Sequence, residues 1–384
     1  MLTEPSLSLY IHFPWCVRKC PYCDFNSHEA NTSSQGSQIP EADYIRCLLA
    51  DFENDQAYWQ GRTIKSIFMG GGTPSLFSAE ALHELLTLLR SKTTFSDDIE
   101  ITLEANPGTF EQEKFRGYRQ AGINRISLGI QSFNDQHLQR LGRIHSSKEA
   151  VNAIESLQSA GFENFNIDLM HGLPEQTLTQ ALKDLRTALA LQPSHISWYQ
   201  LTIEPNTVFY SKPPTLPGDD SLWQIQNEGQ ALLAENNFEQ YEVSAYCKNQ
   251  RQSKHNLNYW QFGDYLALGA GAHGKITDSA QNTIFRYQKT RLPKDYLDTD
   301  RPYTAQQHQV AREDLAFEFF MNCFRLKSGA EKATFPSHTG LNAELITPVL
   351  NEAIERGLVK ETKSHWVPTE KGHLYLNDLL QLFL

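Results

Sequence analysis

The chain reads as an α/β protein built on a mainly parallel sheet. Two observations predict this. Apolar strand-like runs alternate with amphipathic helical stripes from the N-terminus onward. Glycine- or proline-containing turns punctuate these segments. A third observation points to chemistry: Cys16, Cys20 and Cys23 lie together in the loop after the first strand-like run.

Taken in order, residues 7–13 form the first strand, and the cysteine loop follows. Residues 28–38 are rich in Ser, Asn and Gln and read as an irregular loop. Residues 40–59 carry Tyr44, Leu48 and Phe52 at helical spacing. Residues 63–69 are an apolar strand, broken by Gly70-Gly71-Gly72-Thr73-Pro74. Leu82, Leu85, Leu86 and Leu89 make a helical stripe. Residues 98–104 alternate, with Ile99, Ile101 and Leu103 on one face. Phe115 and Tyr118 lie on the next helix, which stops at Gly122, and residues 124–131 are the fourth strand. A helix over 146–160 is closed by Gly161, before a fifth strand over 165–170. Leu178, Leu182, Leu185 and Leu189 make another stripe, and 195–201 is the sixth strand.

Strand-then-helix units in succession imply parallel strands joined by right-handed crossovers. The pattern alone leaves open a doubly wound sheet or a curved partial barrel. The G-x-G-x-x-G fingerprint of a dinucleotide fold is absent after the first strand. Residues 206–220 are proline-rich and read as a surface excursion. Residues 219–236 look helical, 241–245 strand-like, and 268–274 form a glycine-rich turn. From about Thr304 the order becomes helix, helix, strand, strand, helix, as in a small winged-helix-like unit. The expected division is 1–215 for the main α/β unit with the cysteine loop, 216–303 for its extension, and 304–384 for the C-terminal unit.

Composition narrows the function. The chain has 384 residues and a formal charge of −11, without basic blocks. That argues against general nucleic-acid binding and leaves the C-terminal unit a packing or partner-docking role. No apolar run is long enough to span a bilayer, and no basic n-region precedes a long apolar stretch near Glu4. The six cysteines do not suggest a disulfide framework, since three are clustered and Cys47, Cys247 and Cys323 are scattered. The expected compartment is the reducing cytoplasm.

Three thiolates so close together suit one iron–sulfur cluster. A four-iron cluster held by three ligands leaves one iron open to a small chelating molecule. Zinc on the three cysteines with His12 or His28 is the competing reading, although structural zinc usually takes two separated ligand pairs. In a parallel sheet, ligands bind beyond the carboxyl ends of the strands. Gly70 to Pro74, Glu104, Gln131 and Asp168 fall at successive strand ends. Adjacent glycines admit close backbone approach, and carboxylates accept from hydroxyl or ammonium groups.

The C-x3-C-x2-C spacing, with Tyr22 before the last cysteine, resembles the signature of radical S-adenosylmethionine (SAM) enzymes. The resemblance implies a [4Fe-4S] cluster on Cys16, Cys20 and Cys23, with SAM on the open iron. It also implies a partial (βα)6 TIM-like barrel with a small C-terminal winged-helix-like α+β domain. Tyr10 to Pro14, Gly70 to Pro74, Gly129 to Phe133, Leu141-Gly142-Arg143 and Asp168 to Pro174 are similar to the oxygen-independent coproporphyrinogen III oxidase family. This likeness covers nearly the whole chain. It implies that Tyr10, Gly71 and Glu104 contact the SAM on the cluster. Gly72, Thr73, Gln131, Arg143 and Asp168 would contact a second SAM.

Two departures set the chain apart from the oxidases of that family. Their loop continues to a further cysteine where this chain has Phe25, and their N-terminal extension has no room before Tyr10. His255-Asn256-Leu257-Asn258-Tyr259-Trp260 instead resembles the H-N-x-x-Y-W motif of the heme chaperone branch. A histidine beside Tyr and Trp suits heme iron and porphyrin faces, while a core histidine is the structural alternative. The resemblance implies a heme chaperone serving acceptor hemoproteins, respiratory ones first, with the cluster and SAM as a structural or redox switch. It leaves room for a homodimer and for peripheral membrane contact. The alternatives are a radical coproporphyrinogen III oxidase and a zinc-binding winged-helix regulator.

Overall fold

The computed structural model describes residues 2–30, 32–33, 36–37, 39–108 and 112–384. Of the irregular loop expected over 28–38, residues 31, 34, 35 and 38 lie outside the described residues. The described part includes short strands at His28–Glu29, Thr32–Ser33 and Gly36–Ser37, the last two paired antiparallel. Six parallel strands follow one another: β1 Leu7–Phe13, β2 Thr63–Gly71, β3 Thr94–Ala105, β4 Arg125–Gln131, β5 Phe165–His171 and β6 His195–Gln200. Each lies beside the next in the sheet. Helices cross between them: α1 Glu41–Asn54, α2 Ala79–Lys92, α3 Gln112–Gln120, α4 Ser147–Ser159 and α5 Leu178–Ala190.

The sheet is 12-stranded because both margins are extended. After helix α6 (Asp219–Glu235), β8 Ala245–Cys247 adds antiparallel beside β6, and β7 Glu239–Glu242 pairs antiparallel on the outer side of β8. Beside β1, β9 Asp264–Leu268 adds parallel. Antiparallel β10 His273–Asp278, β11 Thr283–Lys289 and β12 Thr304–Gln309 follow it. Thr304–Gln309, expected to open the C-terminal unit, is thus the outer strand of the sheet. The strand expected over 241–245 is two strands joined by a tight reversal.

Strand alternation sorts the two faces. Leu7, Leu9, Ile11 and Phe13 of β1 are buried outward beneath helices, as are Ile126, Leu128 and Ile130 of β4. The opposite face is polar: Ser8, Ser66, Glu100, Ser127, Asn166 and His195. Six strands about 4.8 Å apart would span roughly 24 Å if laid flat. Yet residues from β2 through β6 and from the loop after β1 line one cavity. The sheet must curl around its polar face, giving the expected partial barrel.

Local chemistry explains the helix ends. Ser146 with Glu149, and Thr177 with Gln180, form capping boxes at the starts of α4 and α5. The single helix expected over 40–59 is interrupted at Asp55, between α1 and a short turn at Gln56–Trp59. The Asp55 carboxylate accepts from buried Lys289 at 2.7 Å, so that residue serves a long-range ion pair.

The C-terminal unit is a winged-helix-like arrangement. Helices Leu315–Cys323, Thr334–Thr339 and Thr347–Glu355 pack with a three-stranded sheet of Ala330–Glu331, His365–Pro368 and Val359–Glu361. The short strand and the middle helix are additions to the sequence expectation. The last helix is broken at Tyr375 into two pieces. Phe319, Phe320, Phe335 and Trp366 centre the core of this unit, which also recruits Leu2 and Phe262 from the main body. Arg286 grips Glu318 through Nε and Nη2, tying β11 to the first of these helices.

Candidate functional site

The loop from Trp15 to Ser27 rises from the carboxyl end of β1. Its return leg pairs with its outgoing leg, Trp15–Cys16 against His28–Glu29. The glycine run after β2 is clamped onto this loop. Gly72 N–H donates to the Phe13 carbonyl and Thr73 N–H to the Trp15 carbonyl, both at 2.7 Å. A Cβ at Gly72 would lie 2.4 Å from the Trp15 carbonyl oxygen, so only glycine fits this contact.

Cys16, Cys20 and Cys23 line one cavity of about 280 Å³. Gly71, Gly72, Thr73, Glu104, Gln131, Arg143 and Asp168 line the same cavity. All three cysteines are free thiols. Burial pushes the Cys16 thiol up to about 11 and raises Cys23 as well. Metal binding there must displace protons. The Arg143 guanidinium stands 3.7 Å from the Cys20 sulfur and also donates to Asn106 Oδ1 and the Gly129 carbonyl, both at 2.6 Å. A cation thus borders the thiols.

Three free thiols in one cavity, with a glycine run clamped beside their loop, fit an iron–sulfur cluster. They fit a single zinc ion less well. His12 has both ring nitrogens engaged, Nδ1 with Tyr10 Oη at 3.0 Å and Nε2 with the Asn26 carbonyl at 2.9 Å.

Two carboxylates face this cavity. Glu104 accepts from Gly71 N–H at 3.1 Å. Burial, then the nearby Asp168 charge, pushes its carboxyl up to about 8. Asp168 accepts from Ser127 Oγ at 2.9 Å and Asn166 Nδ2 at 2.7 Å, yet burial still raises it. A pocket with two such groups favours a ligand bearing a cationic or hydroxyl-rich part. Gln131 holds a left-handed backbone, φ 69°, at the strand end, and its Oε1 accepts from Tyr199 Oη at 2.9 Å.

Tyr10 and His255 lie apart from this cavity. Tyr10 lines a neighbouring one. His255 is 1% exposed. It is stacked on Phe68 at 5.1 Å between ring centroids and lies edge-on to Tyr259 at 4.9 Å. Its Nδ1 meets Ser66 Oγ at 3.1 Å, and burial lowers its pKa to about 3. The expected heme-binding histidine therefore presents no open face to a macrocycle; the geometry is that of a neutral core imidazole. Residues not singled out from sequence also line the site, including Asn106, Ser127 and Tyr199. Asn106 donates to Thr73 Oγ1 at 2.9 Å and links three strand ends. Applying the strand-end rule to the sixth strand would have found Tyr199.

Comparison with known proteins follows the same outline. Residues 10–188 match the radical SAM superfamily and residues 310–375 the HemN C-terminal domain. Over 384 residues the chain is 54% identical to heme chaperone HemW of Haemophilus influenzae, covering 99% of this chain and 98% of that protein. It is 52% identical to heme chaperone HemW of Escherichia coli, covering all of both. The Bacillus subtilis heme chaperone HemW is 33% identical over 98% of this chain and 99% of its own. The structure of E. coli coproporphyrinogen III oxidase (HemN), described as a radical SAM enzyme, superposes with a TM-score of 0.82 at 22% identity, over 99% of this chain and 90% of that one. That last likeness is one of fold. From the full-length identities, the chain belongs to the heme chaperone HemW family of the radical SAM superfamily.

Proposed function

We propose that this protein is a heme chaperone that binds heme and passes it to acceptor hemoproteins. The observation that carries the reading is identity along the whole length to proteins named heme chaperones. The cavity at the strand ends supports a [4Fe-4S] cluster held by Cys16, Cys20 and Cys23, with SAM beside it. When bound, such a cluster supplies an open iron for SAM and an electron. On this reading Gly71 and Glu104, with Tyr10 from the adjoining cavity, receive the first SAM. Gly72, Thr73, Gln131, Arg143 and Asp168 face a second. The neutral Glu104 carboxyl becomes a carboxylate when a cationic amino group arrives, so it selects that group over neutral analogues.

Phe25, where the related oxidases have a cysteine, weighs against coproporphyrinogen decarboxylation. The engaged nitrogens of His12 weigh against the zinc regulator. The acceptors include respiratory hemoproteins, and the working compartment is the cytoplasm. No described helix is long and apolar enough to cross a membrane. On this reading, contact with membrane-bound acceptors is peripheral. The cluster and SAM act as a switch on transfer, through a homodimer. The three domains expected from sequence divide the labour: cluster and SAM, cargo, and docking.

The test is anaerobic purification followed by two assays. The wild type should be brown, retain iron and sulfide, and develop a Soret band with hemin. The triple variant Cys16→Ser, Cys20→Ser, Cys23→Ser should be colourless before hemin addition. Efficient conversion of coproporphyrinogen III with SAM and a reductant, without hemin binding, overturns the reading.

A further inference from the structure

A second cavity of about 480 Å³ adjoins the cluster-loop cavity. Phe25 borders both. Its side chain is 61% exposed, an apolar ring held open on the cluster loop. Tyr259 and Tyr265 form another wall, with ring centroids 4.3 Å apart. Tyr259 belongs to the H-N-x-x-Y-W segment whose histidine points into the core. The aromatic residue of that segment, not its histidine, reaches a cavity.

Two polar groups here lack strong partners. His273, at the start of β10, is exposed, and its ring makes no hydrogen bond or ion pair among the described residues. It is the uncommitted imidazole of this cavity, since both nitrogens of His12 are engaged. Arg291 is exposed and forms no ion pair among the described residues, with only a 3.4 Å contact from Nε to Asn26 Oδ1. Asp24 is the opposing charge on this wall. Apolar ring faces, a free imidazole and a free guanidinium match the three chemical parts of a heme: macrocycle, iron and propionate. The volume falls in the usual range for small-molecule sites, with an open side for the remainder of the ligand.

Asn26 ties this cavity to the cysteine loop. Its Nδ2 donates to the Ala270 and Arg291 carbonyls, both at 2.9 Å. Gly271 is needed for this approach, because a Cβ there would lie 2.2 Å from Asn26 Nδ2. The turn that carries His273 is therefore fastened to the loop that carries the thiols.

We propose that the cargo heme docks in this side cavity, with His273 as axial ligand to iron and a propionate on Arg291. The assignment rests on the chaperone reading and locates its cargo. Full-length, anaerobically purified protein is titrated with hemin, and the absorption and electron paramagnetic resonance spectra are followed. His273→Ala should weaken binding at least tenfold. His273→Cys should retain hemin with a Soret band moved by thiolate ligation. Arg291→Gln should weaken binding several-fold without changing the spectrum, and should have no effect on hemin dimethyl ester. Equal affinity and an unchanged Soret band in His273→Ala, with wild type binding normally, overturn the site alone. So does loss of the band in a folded His255→Ala variant that His273→Ala leaves intact. A wild type that shows no Soret band overturns the chaperone reading and the site together.

Discussion

Glu104 shows how one residue couples site and stability. Its carboxyl is raised from 4.5 to about 8 by burial first and by Asp168 second. Below pH 4.5 both the folded and unfolded chains carry this proton, and its stabilising contribution is complete. Between 4.5 and 8 the folded protein keeps a proton that the unfolded chain has released. Stability of the ligand-free protein should therefore fall as pH rises through that window. Asp51 and Asp184, raised to about 6, add slope only in its lower part. Melting temperatures from pH 6.5 to 8 should decline in the wild type and decline less in Glu104→Gln. A parallel decline in both would assign the slope to other groups. If Glu104 holds SAM as proposed, the same variant should bind SAM at least tenfold more weakly by calorimetry, because it removes the carboxylate that would face the SAM ammonium group.

Between elements, the decisive contact is the clamp of the β2 glycine run on the β1 loop. Gly72→Ala forces a Cβ against two backbone carbonyls, of Phe13 and Trp15, which cannot rotate away as a side chain would. The expected cost is about 1–3 kcal/mol, by analogy with overpacked cores. It should appear as a lowered urea midpoint with an unchanged slope. Iron retained after desalting should fall as well, because the loop carrying Cys16 has to shift. Full iron content with wild-type stability would show that the clamp relaxes freely. The C-terminal unit repeats the lesson in apolar terms: Phe320 touches Phe319, Phe324, Phe335 and Phe383, and Phe320→Ala should cost about 3–5 kcal/mol in the same denaturation assay.

Across the whole molecule, buried ion pairs join distant segments. Lys289 of β11 is fully buried and donates to Asp51 at 2.6 Å and Asp55 at 2.7 Å, on α1 and just after it. Tyr296 Oη donates to the other Asp51 oxygen at 2.6 Å. Lys289→Met would strand two carboxyls in the core. Breaking such a pair by removing one partner costs about 3–5 kcal/mol. The loss should be smaller in Lys289→Met combined with Asp51→Asn and Asp55→Asn. This network fastens the added strands to the first crossover, and so holds the proposed cargo cavity against the barrel.

The chain's own order of residues determined much of this protein. Period-two and period-3.6 patterns located six strands and their crossovers, because outward strand faces must be apolar beneath helices. The tight spacing of Cys16, Cys20 and Cys23 marked the loop chemistry, because three thiols within eight residues already share one neighbourhood. Gly71, Gly72, Thr73, Glu104, Gln131 and Asp168 were legible because a parallel sheet delivers its strand ends to one rim. Tertiary structure alone decided the rest. It appended strands on both margins of the sheet and made Thr304–Gln309 the outer one of them. It turned His255, on the short helix Lys254–Trp260, into the core and left His273, at the start of β10, open, since the facing of a short element depends on what packs against it. Local patterns fix which residues neighbour one another along an element; only the closing of the sheet fixes which of them meet across it.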